Sequence, residues 1–337
     1  MNMIYGIHHV TAITSSAEKI YDFFTNILGM RLVKKTINQD DIQTYHLFFA
    51  DDRGSAGTDM TFFDFPHIQK ASKGTNEIAK TSFRVSSDQA IDYWKKRFVK
   101  YDVKHQEIQT RFGVKTLEFE DFDGQEYVLF SDEDDHGIEP GTAWKNGPIP
   151  IEFGIVGLGP VFFRVSNLEL FSLILTKHLG FRKKAVEDNF TQFETGKGGN
   201  GATVIVEYRN DLPFGQQGFG GIHHVAFRVE DEKSIKTWID YLNKAGARHS
   251  GLVDRFYFKS LYTRLYSGIL FEFATEGPGF IDDEEPYEYL GETLALPPKF
   301  RLMRQEIEKL VRAIDTVRST KHYQKEYLGM GDQNEGK

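Results

Sequence analysis

The 337-residue chain is 40% apolar and 14% aromatic with a formal net charge of −8, a globular composition long enough for roughly two ordinary domains. Its acidic balance and scattered basic residues argue against nucleic acid or an anionic membrane as partner, and no apolar run approaches the ~18 residues of a membrane span. With no cysteine at all, disulfides, iron–sulfur clusters, Cys-ligated zinc and thiol catalysis are excluded, so any metal must be held by nitrogen and oxygen.

In chain order, residues 1–70 open on GIHHV (Gly6 to Val10), an alternating strand-like run after an amino terminus with no secretory features, so a cytoplasmic protein is expected. A helical stretch, ILGMRLVKK from Ile27 and further strands follow; among these, His46 in YHLFF reads as a satisfied core residue. Residues 78–135 carry FRVSSDQAIDYW from Phe83, and SDEDDHGIEPGTAWKNGPIP (131–150) reads as a link between two halves. Residues 155–210 run from VFFRV through HLGFRKKAV (from His178) to ATVIVEY. In residues 220–280, GIHHV recurs at Gly221 to Val225, and Ile235, Trp238, Ile239 and Leu242 have helical spacing up to Gly246. Strands are expected at 256–266 and 269–275, split at Ser267-Gly268. In residues 281–337 a helix is expected near 301–317, with Ile307, Leu310, Val311 and Ile314 on one stripe, before a frayed polar tail, HYQKEYLGMGDQNEGK.

These segments repeat one another. FRVSSDQAIDYW lines up with FRVEDEKSIKTW from Phe227 at an offset of 144, which also carries Arg111-Phe112 onto Arg255-Phe256 and Gly124 onto Gly268. ILGMRLVKK likewise resembles HLGFRKKAV. The chain therefore reads as four βαβββ modules, an α+β fold.

Because side chains alternate across a strand, the two histidines of each GIHHV face opposite ways. Val10 and Ala12 share a face with His8, and Val225, Phe227 and Val229 share one with His223. That apolar face is expected under the module's helix, which leaves His9 and His224 on the open side. Two imidazoles hold a divalent ion weakly, so a carboxylate is wanted. Glu272, between Phe271 and Phe273 in GILFEFA, supplies one whose uncompensated burial would cost several kcal/mol. At the 144-residue offset His223, His224 and Glu272 become Ala79, Lys80 and Val128, and the third module opens without histidine. One site per chain is expected, shared by the first and fourth modules. Two histidines and one carboxylate leave coordination positions open, the pattern of non-haem Fe(II) oxygenases, although Mn(II), Zn(II) and Co(II) suit the same donors.

With GIHHVT, GIHHVAF and LFEFATEGPGF in place, the chain resembles the vicinal oxygen chelate superfamily, and within it the bacterial ring-cleaving dioxygenases that act on hydroquinones. The likeness extends through YHLFFADDRGSAGTDMTFFDFP to LALPP. It implies a type I extradiol-like fold of two cupped, glyoxalase-like mixed sheets, with Fe(II) on His9, His224 and Glu272 and O₂ as co-substrate. Ligands in the first and last modules imply that these two pair, and the second with the third, and favour hydroquinone over catechol. The resemblance further implies roles at the site for Arg255 and Tyr262 in DRFYFKSLYTR: a phenol to donate to a bound oxygen, and a guanidinium to stabilise a phenolate. His8 and His223 also match family positions near the site, although alternation turns both away. Thr11, on the face of His9, is placed to contact a ligand.

The expected activity is opening of a small aromatic diol with O₂, with homo-oligomer formation left open. Alternatives are a glyoxalase-like isomerase, lyase or thiol transferase, for which Glu207 in ATVIVEY is a possible fourth ligand, and a metal-free binder of aromatic compounds. A zinc hydrolase lacks its HExxH, and GKGGNG (196–201) lacks the strand-to-helix setting of a dinucleotide site.

Overall fold

The computed structural model describes residues 3–281 and 285–328. The first quarter runs β1 (Ile7–Ile13), α1 (Ala17–Asp22) continued by a π-helical turn Phe23–Ile27, β2 (Arg31–Asn38), β3 (Asp41–Ala50) and β4 (Asp59–Phe63). Next come β5 (Glu77–Val85), α2 (Asp88–Lys100), β6 (Gln109–Arg111), β7 (Val114–Glu120) and β8 (Glu126–Ser131). The third quarter holds β9 (Ile155–Leu158), β10 (Val161–Val165), α3 (Leu168–Leu173) with its own π-helical turn Ile174–His178, β11 (Arg182–Glu187), β12 (Phe190–Glu194) and β13 (Thr203–Tyr208). The fourth holds β14 (Gly221–Val229), α4 (Glu232–Lys244), β15 (Val253–Asp254), β16 (Lys259–Tyr266) and β17 (Ile269–Thr275). Each of these four helices starts where a short polar side chain, Ser16, Ser87, Asn167 or Asp231, accepts a backbone amide three residues on.

Two mixed sheets result. One has the order β15-β16-β17-β14-β1-β4-β3-β2, and the other β11-β12-β13-β10-β5-β8-β7-β6, with β9 pairing to β5. The first quarter is thus joined to the fourth by the antiparallel pair β1–β14, and the third to the second by β10–β5. The repeat is kept in backbone detail: Phe112 and Phe256, one offset apart, both adopt positive φ, at 51° and 74°. Gly268 closes the turn into β17 at φ 83°, where a Cβ would lie 2.2 Å from the Asn76 carbonyl, so only glycine fits.

Helices cover the outer face of each sheet. Trp238 of α4 stacks on Phe273 at 4.3 Å between ring centroids, and Phe271 and Phe273 are wholly buried, each burial contributing roughly 2 kcal/mol. Period two then turns Glu272 to the inner face. Val33, Phe48, Tyr257, Phe258 and Phe280 form a separate apolar cluster that walls the inside of this cup.

Three expectations are corrected. The strand expected from 256 begins at Lys259, because the positive φ of Phe256 breaks the extended run. The helix expected near 301–317 is a 3₁₀ turn Pro298–Met303 followed by α5 (Arg304–Leu310), which stops at Val311. Beyond it the chain is an extended strap on β2 and β3: Lys35 Nζ donates to the Ile314 carbonyl and the Thr316 hydroxyl, and Tyr45 Oη to the Arg312 carbonyl. The β-branched residues Val311, Ile314, Thr316 and Val317 favour this conformation over helix. The tail is docked as far as Leu328 rather than frayed: Glu326 accepts from Lys100 Nζ and Tyr101 Oη, and Lys325 Nζ donates to the Gly147 and Ile149 carbonyls. Residues 329–337, the rest of that tail, lie outside the described residues. No described helix is long and apolar enough to cross a membrane.

Candidate metal centre

His9 on β1, His224 on β14 and Glu272 on β17 come from three adjacent strands, and their side chains meet inside the first cup. His9 Nε2 lies 3.1 Å and His224 Nε2 2.9 Å from Glu272 Oε2, and the two nitrogens are 3.3 Å apart. Among the described residues this is the one group of three His, Asp or Glu whose donor atoms converge within 4.8 Å. Glu272 is 0% exposed; its Oε1 accepts from Ser260 Oγ at 2.5 Å, while Oε2 has no hydrogen-bond donor. An anionic oxygen without a donor, beside two imidazole nitrogens, has the donor set and the electrostatic deficit that a divalent cation fills.

The adjacent histidines are where simple alternation fails. The β1–β14 register slips twice, once between Ile7 and His9 and once between Thr11 and Ala12. The first slip leaves His8 as an extra residue on β1, and the second leaves His223 as an extra residue on β14. Such bulges re-aim a side chain. Contrary to the alternation argument, His8 Nδ1 sits 2.9 Å from His9 Nδ1, and His223 Nδ1 2.7 Å from His224 Nδ1. His8 Nε2 is 3.1 Å from the Thr275 carbonyl, which requires the proton on Nε2 and leaves His8 Nδ1 to accept from His9. His9 Nε2, the nitrogen that faces Glu272, is then a free lone pair. Burial, with the neighbouring histidine second, lowers the pKa of both His8 and His223 to about 3, so both are neutral.

A cavity of about 590 Å³ opens beside the three donors, lined by His9, His223 and His224 together with Phe48, Phe63, Phe65, Tyr257, Phe258, Tyr262 and Leu270. Tyr262 stands edge-on to His224 at 5.8 Å between rings, and burial pushes its phenol up, so it remains a hydrogen-bond donor. Arg255 Nε donates to Tyr262 Oη at 3.2 Å, and its Nη2 to Asp40 at 2.8 Å. Asp40 and Gln39, in the β2–β3 turn, thus fix Arg255 at the cavity rim. Thr11 Oγ1 is 3.0 Å from His224 Nε2.

Sequence reasoning missed Ser260 and Asp40. Ser260 shares the strand face of Tyr262, a signal period two already carried, whereas nothing local marks Asp40. His46, read as core, is half-buried and lines the cavity. Glu207, considered as a fourth ligand, is in the other sheet and accepts from Arg164 at 2.7 Å.

Fold and site together define the class: the chain belongs to the glyoxalase/bleomycin resistance protein/dioxygenase superfamily, whose family model matches residues 6–139. Among relatives, a Bacillus subtilis (strain 168) protein named "Putative ring-cleaving dioxygenase MhqA" is 44% identical over 92% of this chain and 98% of its own length. The "Chlorohydroquinone/hydroquinone 1,2-dioxygenase" of Sphingobium indicum is 29% identical over 90% of this chain and 94% of its own. A crystal structure, "putative dioxygenase from Bacillus subtilis subsp. subtilis str. 168", superposes with a TM-score of 0.86 at 31% identity, covering 94% of this chain and 99% of that one. Glyoxalase I from Zea mays, at 16% identity and a TM-score of 0.58 over 80% of this chain and 92% of its own, shares the fold.

Proposed function

We propose that this protein is an Fe(II)-dependent dioxygenase that opens the ring of a hydroquinone-type aromatic diol with O₂. The observation that carries the reading is the convergence of His9, His224 and Glu272 on one point with a mostly apolar cavity on the open side. Relatives named as ring-cleaving and hydroquinone dioxygenases support it.

Bound on this face, Fe(II) supplies the electronic link between an aromatic diol and O₂ and retains open positions for both. The remaining contributions belong to the chain. His8, anchored on the Thr275 carbonyl, fixes the His9 imidazole in orientation and tautomer, and His223 holds the His224 ring in orientation. Tyr262, protonated and braced by Arg255, donates to an oxygen of the reactants, and Arg255 stabilises negative charge on a phenolate. Phe48, Phe63 and Phe258 exclude water and stack on a single small ring.

The test is anaerobic loading with Fe(II), then admission of O₂ with hydroquinone, chlorinated and methylated hydroquinones and catechol in turn. Stoichiometric O₂ uptake with a ring-opened product carrying both oxygen atoms is expected for the hydroquinones. Full metal occupancy with no uptake from any diol overturns the reading, as does equal activity with Zn(II) alone.

A further inference from the structure

A file of three side chains crosses the floor of the cup. Thr11 of β1 stands beside Thr61 of β4, the two being register partners, and β3 follows β4 in the sheet. Thr11 Oγ1 and Thr61 Oγ1 are 2.7 Å apart, and Thr61 Oγ1 is 3.0 Å from His46 Nε2. The far end of the file, Thr11 Oγ1, is the atom 3.0 Å from His224 Nε2. The His46 ring is wedged between Phe48 and Phe63, at 4.0 and 4.4 Å between centroids, which fixes its plane. Its Nδ1 makes no hydrogen bond among the described residues, and the ring lines the cavity.

A neutral imidazole has one N–H and each hydroxyl one O–H, so the file has only two internally consistent directions. With the proton on Nδ1, Nε2 accepts from Thr61, Thr61 accepts from Thr11, and Thr11 offers only lone pairs at the face formed by His9, His224 and Glu272. With the proton on Nε2 every arrow reverses, and Thr11 presents its proton there instead. Burial, followed by the neighbouring imidazoles, keeps His46 neutral, so these two states are the relevant ones.

We propose that His46 is a specificity-determining residue that reads the far oxygen of a diol whose two hydroxyls stand across the ring, and relays that contact through Thr61 to Thr11. An oxygen accepting from His46 Nδ1–H selects the first direction, which fixes Thr61 as the donor to His46 Nε2 and leaves Thr11 Oγ1 with only lone pairs beside His224 Nε2. A para diol can meet His46 with one oxygen while the other stands at the face of His9 and His224, which line the same cavity. An ortho diol, with both oxygens on the metal side, leaves Nδ1–H unpaired in the cavity, and an unpaired donor costs free energy. This proposal rests on the ring-cleavage reading for its choice of ligand, but not for its test.

The test uses the full chain loaded with Zn(II), which binds without turnover, and measures dissociation constants for hydroquinone and catechol. Thr61→Val keeps the shape and removes the relay, Thr61→Ser restores it, and His46→Phe keeps the aromatic wedge without the donor. Expected are a tenfold or greater loss of hydroquinone affinity in Thr61→Val and His46→Phe, catechol affinity within twofold of wild type in both, and recovery to within threefold in Thr61→Ser. Zinc content should not change. The ¹⁵N signals of His46 should report the Nδ1–H tautomer with hydroquinone bound, and a mixture of tautomers in Thr61→Val. Loss of both ligands alike, no loss in either variant, or no hydroquinone binding by wild type overturns the proposal. O₂ uptake by the Fe(II) form separates the two readings: the affinity pattern without uptake sinks the dioxygenase and leaves His46 its role, while uptake without the pattern does the reverse.

Discussion

Glu272 shows how much a single residue can impose on a sheet. A carboxylate at 0% exposure, with Ser260 on one oxygen and no donor on the other, is stable only beside positive charge. Glu272→Gln should therefore reduce bound metal to below about a tenth of an equivalent by elemental analysis while the fold, read by circular dichroism, persists. Ser260→Ala keeps the ligand and removes its brace, and a loss of roughly tenfold in metal affinity is expected from competition with a chelator, the usual cost of removing a partner behind a ligand. The convergence of Glu272 with His9 and His224 was legible in the sequence: an acid flanked by Phe271 and Phe273, and histidines present in only two of four copies, have few purely structural explanations. Asp40 was not legible, because it reaches Arg255 across 215 residues of chain through a turn that no local pattern announces.

At the scale of elements the informative feature is the pair of bulges. One inserted residue on each of two neighbouring strands brings His8 and His223 round to His9 and His224. His8→Phe and His223→Phe should each weaken metal binding by roughly tenfold with little change in melting temperature, since both rings sit among aromatic neighbours, Phe258 and Phe63. A change in stability without a change in metal affinity would show that the bulges serve packing alone. Period two predicted the inner position of Glu272 and misplaced these histidines for the same reason: a slip of one residue leaves no trace in composition. The carboxy-terminal strap failed similarly, since Ile307, Leu310, Val311 and Ile314 fit a helical stripe, yet side chains from β2 and β3 claim the carbonyls of Arg312 and Ile314.

For the whole molecule, a buried acid on β4, beside His9 in the sheet register, sets a pH dependence. Asp59 on β4 is 1% exposed with neither oxygen hydrogen-bonded, and burial pushes it well above the usual carboxylate range. The folded state therefore keeps a proton that the unfolded chain has released above about pH 4, so Asp59 lowers stability progressively as pH rises from there. Asp59→Asn, neutral and of the same shape, should be equal to wild type near pH 3.5 and more stable at pH 8 by at least about 1 kcal/mol, as read from urea unfolding. A variant less stable than wild type at pH 8 would mean that the carboxylate has found a cation.

The two cups descend from one template but solve the problem of a polar inner strand differently. Where the first cup has His224, the equivalent Lys80 of the second closes on Glu118 at 2.6 Å, so that half carries its own ammonium and has no use for an imported ion. Its inner surface is filled by Val128, Phe130, Phe162 and Ile205. The three converging donors are thereby confined to one side of the protein. Chelation should silence the chemistry yet leave a folded, reloadable apoprotein, because the sister half acts as a ballast that never loses its charge balance.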